Sequence, residues 1–480
     1  MYISQAINKI IQHEPILFTT PGHSGGKGVL SEYKEMVGKK IFKADLSELE
    51  GLDNLQNPSG IIKNALVRAS EIYGSKNTFY LVNGSTSGII ALMLATVNRG
   101  DEVLISRNAH KSVINALILS GAHPVWVNPD WDNNWNIPAC VNPEKIRQKL
   151  EKNPDIKAVW VTSPTYEGVV SDIEAISKIC KEKNVLLVVD EAHGALWNFS
   201  EKLPVSSIHL GADACVQSLH KTGSCLTQGA VLHLSPNSGV NLEKLTQSLN
   251  LVNTTSPSYL ILSSIEASIE YLNSSEGRGN LDELLNNIEE IKSFIKMNID
   301  ACFLGSQDVI ARKAESLTWQ SNTFIHDPTK LFLGINGASG YDISDILFKK
   351  FNIEVELDNN KGVLALTGIG TTRKKLEKLA FALIKAEKML QKSDSLSFSA
   401  NEESVRISTP FIEPEVVYSP ADAFYKKSKK IEVSRAIGLV SKETIVNYPP
   451  GIPVIIAGEV IKPEHLDFFA ERKEIDVILD

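Results

Sequence analysis

The sequence predicts an α/β protein with a mostly parallel sheet in a large domain, then a small α/β domain and a C-terminal α+β domain. From residue 78 onward, short aliphatic runs alternate with amphipathic segments, which is the order of strand–helix–strand units. The length of 480 residues fits two or three domains. The polar segment 393–404 is typical of a linker before a last unit.

The alternation predicts the elements of the large domain one by one. In chain order, strands and helices are expected at TFYLVNG, GIIALMLATVNRG, DEVLIS, SVINALILSG, HPVWVN, IKAVWVTSP, DIEAISKICKEKN, VLLVVDEAH, ACVQSLHK and GAVLHLS. The run VLLVVD is apolar without alternation, which indicates a strand buried on both faces. The amphipathic segment 281–299 predicts a helix leading into a second set of elements: KLFLGI, ISDILFKKF, IEVELD, VLALTG and KKLEKLAFALIKAEKML.

We therefore expect four parts. They are an N-terminal arm over 1–45, a large domain over 46–275, a small α/β domain over 276–392 and a C-terminal domain over 393–480. The arm contains the loop TTPGHSGGKG, whose glycines and proline indicate irregular backbone.

Composition argues against several classes of protein. The 49 Lys+Arg and 57 Asp+Glu residues leave a net charge of -8 with no dense basic run, so nucleic acid is not an expected partner. No window approaches the ~18 apolar residues of a membrane span. The five cysteines are scattered without a CxxC pair, so neither a disulfide framework nor a metal site is expected. A cytoplasmic location fits best.

Three groups of residues suggest a shared chemistry. Ser85, Thr86 and Ser87 lie in GSTSG between a strand and a helix, where they can bind a phosphate or simply cap the helix. Asp190 ends an apolar strand and can pair with a protonated heterocycle, the alternatives being a solvated strand end or a metal ligand. Lys221 follows the next strand, and desolvation there would favour a Schiff base, although a surface lysine is the commonest alternative.

Taken together in that order, these residues predict a pyridoxal phosphate site. The sequence also resembles the Orn/Lys/Arg decarboxylase family, in its short form without a response-regulator-like domain. The matching segments run from about residue 19 to 463: TPGHSGG, LEGLDNLQNPSGIIKNA, NGSTSG, RNAHKS, SPTYEGVVSDI, DEAHGA, SLHKT, TSPSYLILSSIE and NYPPGIPVIIAGE. The resemblance implies an aspartate-aminotransferase-like fold with a seven-stranded sheet.

The resemblance also implies roles for individual residues. Lys221 matches the Schiff-base lysine, Asp190 the partner of the pyridine nitrogen, and His110 the imidazole stacked on the cofactor ring. The other implied cofactor contacts are the phosphate ligands Ser85, Thr86 and Ser218 and the neighbouring His193 and His220. One departure is Leu439, which stands where many relatives have arginine, so a contact made by that arginine is not carried over to this chain.

The implied activity is decarboxylation of arginine, lysine or ornithine to agmatine or a diamine, in polyamine biosynthesis, with Lys221 or His220 returning a proton to Cα. Glu459, Asp45 and Asp53 are candidates for binding the basic side chain. A homodimer or larger oligomer with shared active sites is expected by resemblance, with segment 254–259 reaching the partner's cofactor phosphate.

Two alternatives stay open. An aminotransferase or another lyase of the same fold would use the same lysine and aspartate, and would need an arginine such as Arg406 for the substrate carboxylate. A non-catalytic scaffold that kept the fold is the other.

Overall fold

The structure, a computed structural model, describes residues 2–305, 325–393, 411–447, 452–469 and 472–479. The helices are α1 (Ile3–His13), α2 (Ser31–Val37), α3 (Lys39–Ala44), α4 (Ile61–Tyr73), α5 (Gly84–Thr96), α6 (Lys111–Ser120), α7 (Pro143–Lys152), α8 (Ile173–Glu182), α9 (Leu219–Thr222), α10 (Leu242–Val252), α11 (Tyr259–Asn273), α12 (Ser275–Asn298), α13 (Gly340–Phe351), α14 (Arg373–Ser393) and α15 (Pro420–Tyr425).

The strands are β1 (Asn77–Leu81), β2 (Glu102–Ser106), β3 (His123–Val127), β4 (Trp131–Asp132), β5 (Ile137–Pro138), β6 (Ala158–Thr162), β7 (Val169–Val170), β8 (Leu186–Asp190), β9 (Ala214–Gln217), β10 (Ala230–Leu234), β11 (Ala301–Phe303), β12 (Ile325–His326), β13 (Lys330–Ile335), β14 (Leu357–Asp358), β15 (Val363–Leu366), β16 (Ser428–Glu432), β17 (Ile445–Asn447), β18 (Ile452–Ile455) and β19 (Glu474–Ile478).

The predicted seven-stranded sheet is present, in the order β1-β10-β9-β8-β6-β2-β3. Its strands are parallel except β10, which runs antiparallel to both neighbours. Apolar side chains of α5, α6 and α10 pack on one face, and those of α7 and α8 pack on the other. The strands are therefore buried on both sides, and their carboxyl ends, apart from that of β10, share one edge.

The second sheet, β11-β13-β15-β14, is entirely antiparallel. Helices α12, α13 and α14 pack with it, in one apolar cluster that also includes α1, α4 and α11. The strand expected over IEVELD is shorter than predicted, because only its last two residues pair with β15. The backbone N–H of Ile353 instead donates to Leu347 at the end of α13.

The C-terminal region forms two antiparallel strand pairs, β16 with β19 and β17 with β18, and α15 packs on α6 of the large domain. The linker expected at 393–404 lies outside the described residues except for Ser393, which ends α14. None of the helices in the described ranges is long and apolar enough to cross a membrane. The domain boundaries at 45, 275 and 392 stay predictions.

One carboxylate organises the start of α4. The oxygens of Asp53 accept hydrogen bonds of 2.7–3.2 Å from backbone N–H groups of Asn54, Ser59, Gly60, Ile62 and Lys63. Burial raises the pKa of Asp53, but these donors lower it by more, so it lies below the usual 3.8. Asp53 thus supplies partners for first-turn N–H groups that the helix itself cannot satisfy.

We expect Asp53→Ala to lower the free energy of unfolding by about 1.5–3 kcal/mol, because donors to a charged acceptor are left unpaired. The exposed Asp155→Ala is the control and should stay within about 0.5 kcal/mol of wild type. Since folding lowers the pKa of Asp53, its contribution is present above the unfolded value of 3.8 and shrinks as the pH falls below it. Urea unfolding across pH measures both effects; equal stability of the two variants would contradict the capping role.

Candidate active site

The site lies at the edge of the large sheet where the parallel strands end. β8 ends at Asp190, Ser218 follows β9, and the chain leaving β2 reaches His110 at the start of α6. Lys221 lies in α9, directly after Ser218. The charges of Asp190 and Lys221 both act on the pKa of His110, so the three side chains are neighbours. The common edge of parallel strands explains why residues so far apart in sequence meet.

The amine of Lys221 lies against two aromatic rings. Its Nζ is 2.7 Å from His193 Nε2 and 5.8 Å from the centroid of the Tyr166 ring. Desolvation lowers the pKa of Lys221; the carboxylate of Asp190 opposes this shift, and the ammonium of Lys330 adds to it. A lysine with a lowered pKa is more readily the free amine that attacks a carbonyl group.

His193 is buried and connects Lys221 to a buried ion pair. Desolvation, and then the charge of Lys221, lower the pKa of His193 well below its usual value, so the ring is neutral. The Tyr166 ring packs against it with centroids 4.4 Å apart. The backbone carbonyl of His193 accepts a hydrogen bond of 2.6 Å from Lys330 Nζ, which pairs with Asp327 at 2.7 Å. The Lys330–Asp327 pair therefore holds the backbone of His193, while Lys221 and Tyr166 contact its ring.

Asp190 and Glu191 are adjacent in sequence but differ in their partners. Glu191 Oε1 accepts hydrogen bonds from Ser206 Oγ at 2.7 Å and Gln217 Nε2 at 2.5 Å. Asp190 is also buried, and its Oδ1 accepts a hydrogen bond from the backbone N–H of Ala192 at 3.2 Å. Asp190 therefore has acceptor capacity left for a proton-bearing group in the site.

The predicted phosphate ligands divide into two kinds. Ser85 and Thr86 lie in the first turn of α5, where backbone N–H groups are free of helical partners and favour an anion. Ser87 is buried, and its hydroxyl donates to the carbonyl of Gly84 at 2.9 Å, so that proton is already used. Ser218 Oγ is buried with no hydrogen-bond partner among the described residues. Ser85, Thr86 and Ser218 thus fit an anion better than Ser87 does.

The other two predicted histidines, His110 and His220, each have one ring nitrogen next to a backbone group. His110 precedes the first residue of α6, and its Nδ1 accepts a hydrogen bond from the backbone N–H of Ser112 at 3.2 Å. Desolvation lowers the pKa of His110. His220 Nδ1 lies 3.1 Å from the carbonyl of Gly229, and desolvation lowers the pKa of His220 as well. Both rings are therefore biased toward the neutral form.

The structure gives Glu459 a role other than the substrate binding expected from the sequence. Its two oxygens pair with Arg107 Nη1 at 2.6 Å and Nη2 at 2.7 Å, and Oε2 also accepts from the backbone N–H of Ile456 at 2.9 Å. Both Arg107 and Glu459 are buried. A carboxylate filled by a guanidinium in this way is not available to bind a basic substrate.

The other acidic candidates are also engaged. Asp53 caps α4, as described above, and so is not free to bind a cation. Asp45 Oδ2 lies 3.2 Å from His23 Nε2 within the N-terminal arm. The exposed Thr254 and Thr255 begin the segment expected to reach a partner subunit. Arg406, the arginine considered for an aminotransferase, lies outside the described residues.

The structure adds Glu356 and Tyr166, which the sequence did not indicate. The Tyr166 hydroxyl donates to Glu356 Oε1, and the charge of Glu356 acts on the pKa of Lys221. Glu356 is exposed and precedes β14 of the second sheet, 190 residues along the chain from Tyr166. A local pattern cannot reveal this pairing. The nearest signal in the sequence is Tyr166 itself, in the segment SPTYEGVVSDI.

These features fit a cofactor with an aldehyde, an anionic group and a protonated ring. The amine of Lys221 has a lowered pKa, Asp190 has spare acceptor capacity, and α5 presents its amino end. In the part of the chain that the structure describes, Ser218 Oγ and His193 Nδ1 are buried without partners. Unpartnered buried polar atoms are costly unless a ligand or water satisfies them.

Comparisons with known proteins show which family the chain is similar to. The model of the Orn/Lys/Arg decarboxylase major domain matches residues 3–375, and that of the family's C-terminal domain matches residues 404–477. The arginine decarboxylase of Bacillus subtilis (strain 168) is 32% identical over 464 residues, covering 96% of this chain and 91% of that protein. The lysine decarboxylase LdcA of Pseudomonas aeruginosa is 23% identical, covering 92% of this chain and 71% of that protein.

Solved structures share the fold. The Francisella novicida lysine decarboxylase LdcF superposes with a TM-score of 0.86 at 22% identity, covering 100% of this chain and 81% of that one. The ureidoglycine-glyoxylate aminotransferase (pucG) of Bacillus subtilis gives a TM-score of 0.51 at 15% identity, covering 71% and 87%. The aminotransferase-like fold expected from the sequence is confirmed. Because the family model spans most of the chain, this protein belongs to the Orn/Lys/Arg decarboxylase family.

Proposed function

We propose that this protein is a pyridoxal-phosphate-dependent decarboxylase that converts arginine to agmatine and carbon dioxide. The observation that carries the proposal is the contact of Lys221 Nζ with the buried, neutral His193, close to Asp190 at the carboxyl edge of the sheet. Arginine is favoured over lysine because relatives named arginine decarboxylase are 30–32% identical to this chain. Relatives named lysine decarboxylase are 22–23% identical.

When bound, pyridoxal phosphate supplies an electron-withdrawing ring that takes up the electrons of the bond to the departing carboxylate. Lys221 would hold its aldehyde carbon, and Asp190 would keep its ring nitrogen protonated. The amino end of α5 and the hydroxyls of Ser85, Thr86 and Ser218 would hold its phosphate. His110 would lie against its ring.

The residues of the chain also have to handle a proton. After carbon dioxide leaves, Cα needs a proton, and Lys221 and His220 are the donors to be considered. Lys221 is the better supported, since desolvation lowers its pKa, which makes it a readier proton donor, and its Nζ lies 2.7 Å from His193 Nε2. His220 has a carbonyl partner at Gly229.

We assign recognition of the basic side chain to Glu356. It is an exposed carboxylate whose orientation is fixed by the Tyr166 hydroxyl, and it lies close enough to Lys221 to affect its pKa. A planar guanidinium matches a carboxylate with two parallel hydrogen bonds, whereas an ammonium makes a point contact. Glu356 thus replaces Glu459 as the expected acceptor.

The setting of the enzyme is part of the same proposal. The five cysteines are all unpaired, which suits a reducing cytoplasm. A homodimer with shared active sites is consistent with the exposure of Thr254 and Thr255 at the segment expected to meet the partner. The amine product would enter polyamine biosynthesis.

Incubation of the cofactor-loaded protein with arginine, lysine and ornithine separately tests the function. We expect carbon dioxide and agmatine in equal amounts from arginine, with the highest kcat/KM. Lys221→Ala should abolish both products and the mass added to this residue after borohydride reduction, with circular dichroism unchanged. Lys178→Ala, at an exposed lysine, is the control; it should still form both products and still gain the mass at Lys221. A new amino acid formed from a 2-oxo acid without carbon dioxide would indicate transamination instead.

Asp190→Asn should retain bound cofactor but release carbon dioxide about 10²–10³-fold more slowly, because the charge that stabilises the protonated ring is removed. The measurement is kcat at saturating cofactor, with cofactor content determined by absorbance. Asp155→Asn, on an exposed turn, serves as the matched control. A wild-type kcat in Asp190→Asn would exclude the pairing with the ring nitrogen.

Glu356→Gln should raise KM for arginine and lower kcat/KM by about 10- to 100-fold, since a charged hydrogen bond of about 1.5–3 kcal/mol is lost. Cofactor binding should not change, because Glu356 recognises the far end of the substrate. Glu354→Gln, an exposed carboxylate in the same connection, should behave as wild type. Steady-state kinetics with each substrate measure these values. An unchanged KM for arginine would show that Glu356 does not bind the substrate side chain.

A further inference from the structure

A buried ion pair joins the C-terminal region to the large domain. Arg107 immediately follows β2, and Glu459 lies 352 residues later, after β18. Two parallel hydrogen bonds of 2.6 and 2.7 Å link them, and Arg107 Nη2 also donates to the carbonyl of Val454 at 3.3 Å. The guanidinium lies 4.9 Å from the centroid of the Trp126 ring. Arg107 is therefore held from several sides.

The same segment carries His110. The backbone N–H of Arg107 donates to Val127 at 2.9 Å, and that of Ala109 donates to Ser106 at 3.0 Å, so the chain turns tightly between β2 and α6. His110 follows as the N-terminal cap of α6. A second contact, the packing of α15 on α6, comes from the C-terminal region as well. Both the turn before His110 and the helix after it thus touch C-terminal elements.

The chemistry of the pair points to positioning more than to stability. Burying two charges costs much of what their attraction returns, and well-packed apolar residues often stabilise a fold as well or better. What a bidentate guanidinium–carboxylate pair adds is a defined direction and distance. Here Arg107, the guanidinium partner, lies three residues before His110, whose ring is expected to stack on the cofactor.

We propose that the C-terminal region sets the position of His110 through the Arg107–Glu459 ion pair, so that both are positioning residues of the active site. The inference rests on the proposed function, because it needs His110 to contact the cofactor. Neither Arg107 nor Glu459 touches the substrate. Each acts through the turn that leads from β2 to His110.

Glu459→Gln tests this with little change in shape. It removes the charge and leaves Arg107 without its counter-ion. We expect the far-ultraviolet circular dichroism spectrum to remain that of wild type. The induced circular dichroism of the bound cofactor band should change, and the Kd for cofactor should rise. The fall in kcat/KM should approach the about 10²-fold that a misplaced group can cost. Glu413→Gln, which disrupts the exposed 3.9 Å pair of Glu413 with Lys149, is the matched control. It should leave the induced cofactor band, the Kd for cofactor and kcat/KM unchanged.

A double-mutant cycle with His110→Ala separates positioning from a purely structural joint. If Glu459 acts through His110, the change in the cofactor band and in Kd caused by Glu459→Gln should largely disappear once His110 is absent. Additive effects would overturn the inference. So would a cofactor band and Kd in Glu459→Gln equal to those of wild type.

If Glu459→Gln folds poorly, a second variant that carries both Arg107→Met and Glu459→Met tests the same inference. Replacing both partners removes the uncompensated charge, so this protein should fold while still showing the altered cofactor band. A wild-type band in it would overturn the inference. If His110→Ala alone leaves the band unchanged, the proposed role of His110 fails, and the inference fails with it. If His110→Ala changes the band but neither charge variant does, only the inference fails.

Discussion

The candidate active site places two lysines, Lys221 and Lys330, on either side of His193, and within the described ranges only Lys330 forms an ion pair. Lys330 is neutralised by Asp327 at 2.7 Å, and it donates to the backbone of His193. Lys221 contacts the other end of the same residue, the Nε2 of its neutral ring. The two amines therefore differ in their close partners, since Lys221 contacts an imidazole and Lys330 contacts a carboxylate. The Lys330–Asp327 pair holds the backbone of His193, and among the described residues Lys221 forms no ion pair, which suits the reactive role proposed for it.

Much of the candidate active site was predictable, because its residues lie at the ends of regular strands and helices. Alternating strands and helices predicted the parallel sheet, and parallel strands bring their carboxyl ends to one edge, so Asp190, Lys221 and His110 were expected to meet. The amino end of α5 was predictable from GSTSG in the same way. The sequence also allowed the hydroxyls of that loop to be helix caps, and Ser87 does bond within the first turn whereas Ser85 and Thr86 remain at its start.

The contacts that the sequence did not predict join parts of the chain that no local pattern connects. Glu356 meets Tyr166 across 190 residues, and Glu459 meets Arg107 across 352. Each position depends on how the second sheet or the C-terminal region packs on the large domain, which periodicity does not encode. Glu459 was assigned to the substrate because it follows a family motif. A motif shows that a residue is present at a position, but only its packing shows what it binds.

Remaining hydrogen-bonding capacity distinguishes the carboxylates better than burial does. A carboxylate accepts about four hydrogen bonds, and those of Asp53, Glu191 and Glu459 are largely taken by donors of the protein itself. Asp190 and Glu356 differ, because each is fixed by a donor from the chain and can still accept more. Asp190 is buried and Glu356 is exposed, so depth is not what they share. Both are fixed in place and incompletely satisfied, which is the condition under which an acidic group can bind a cationic ligand.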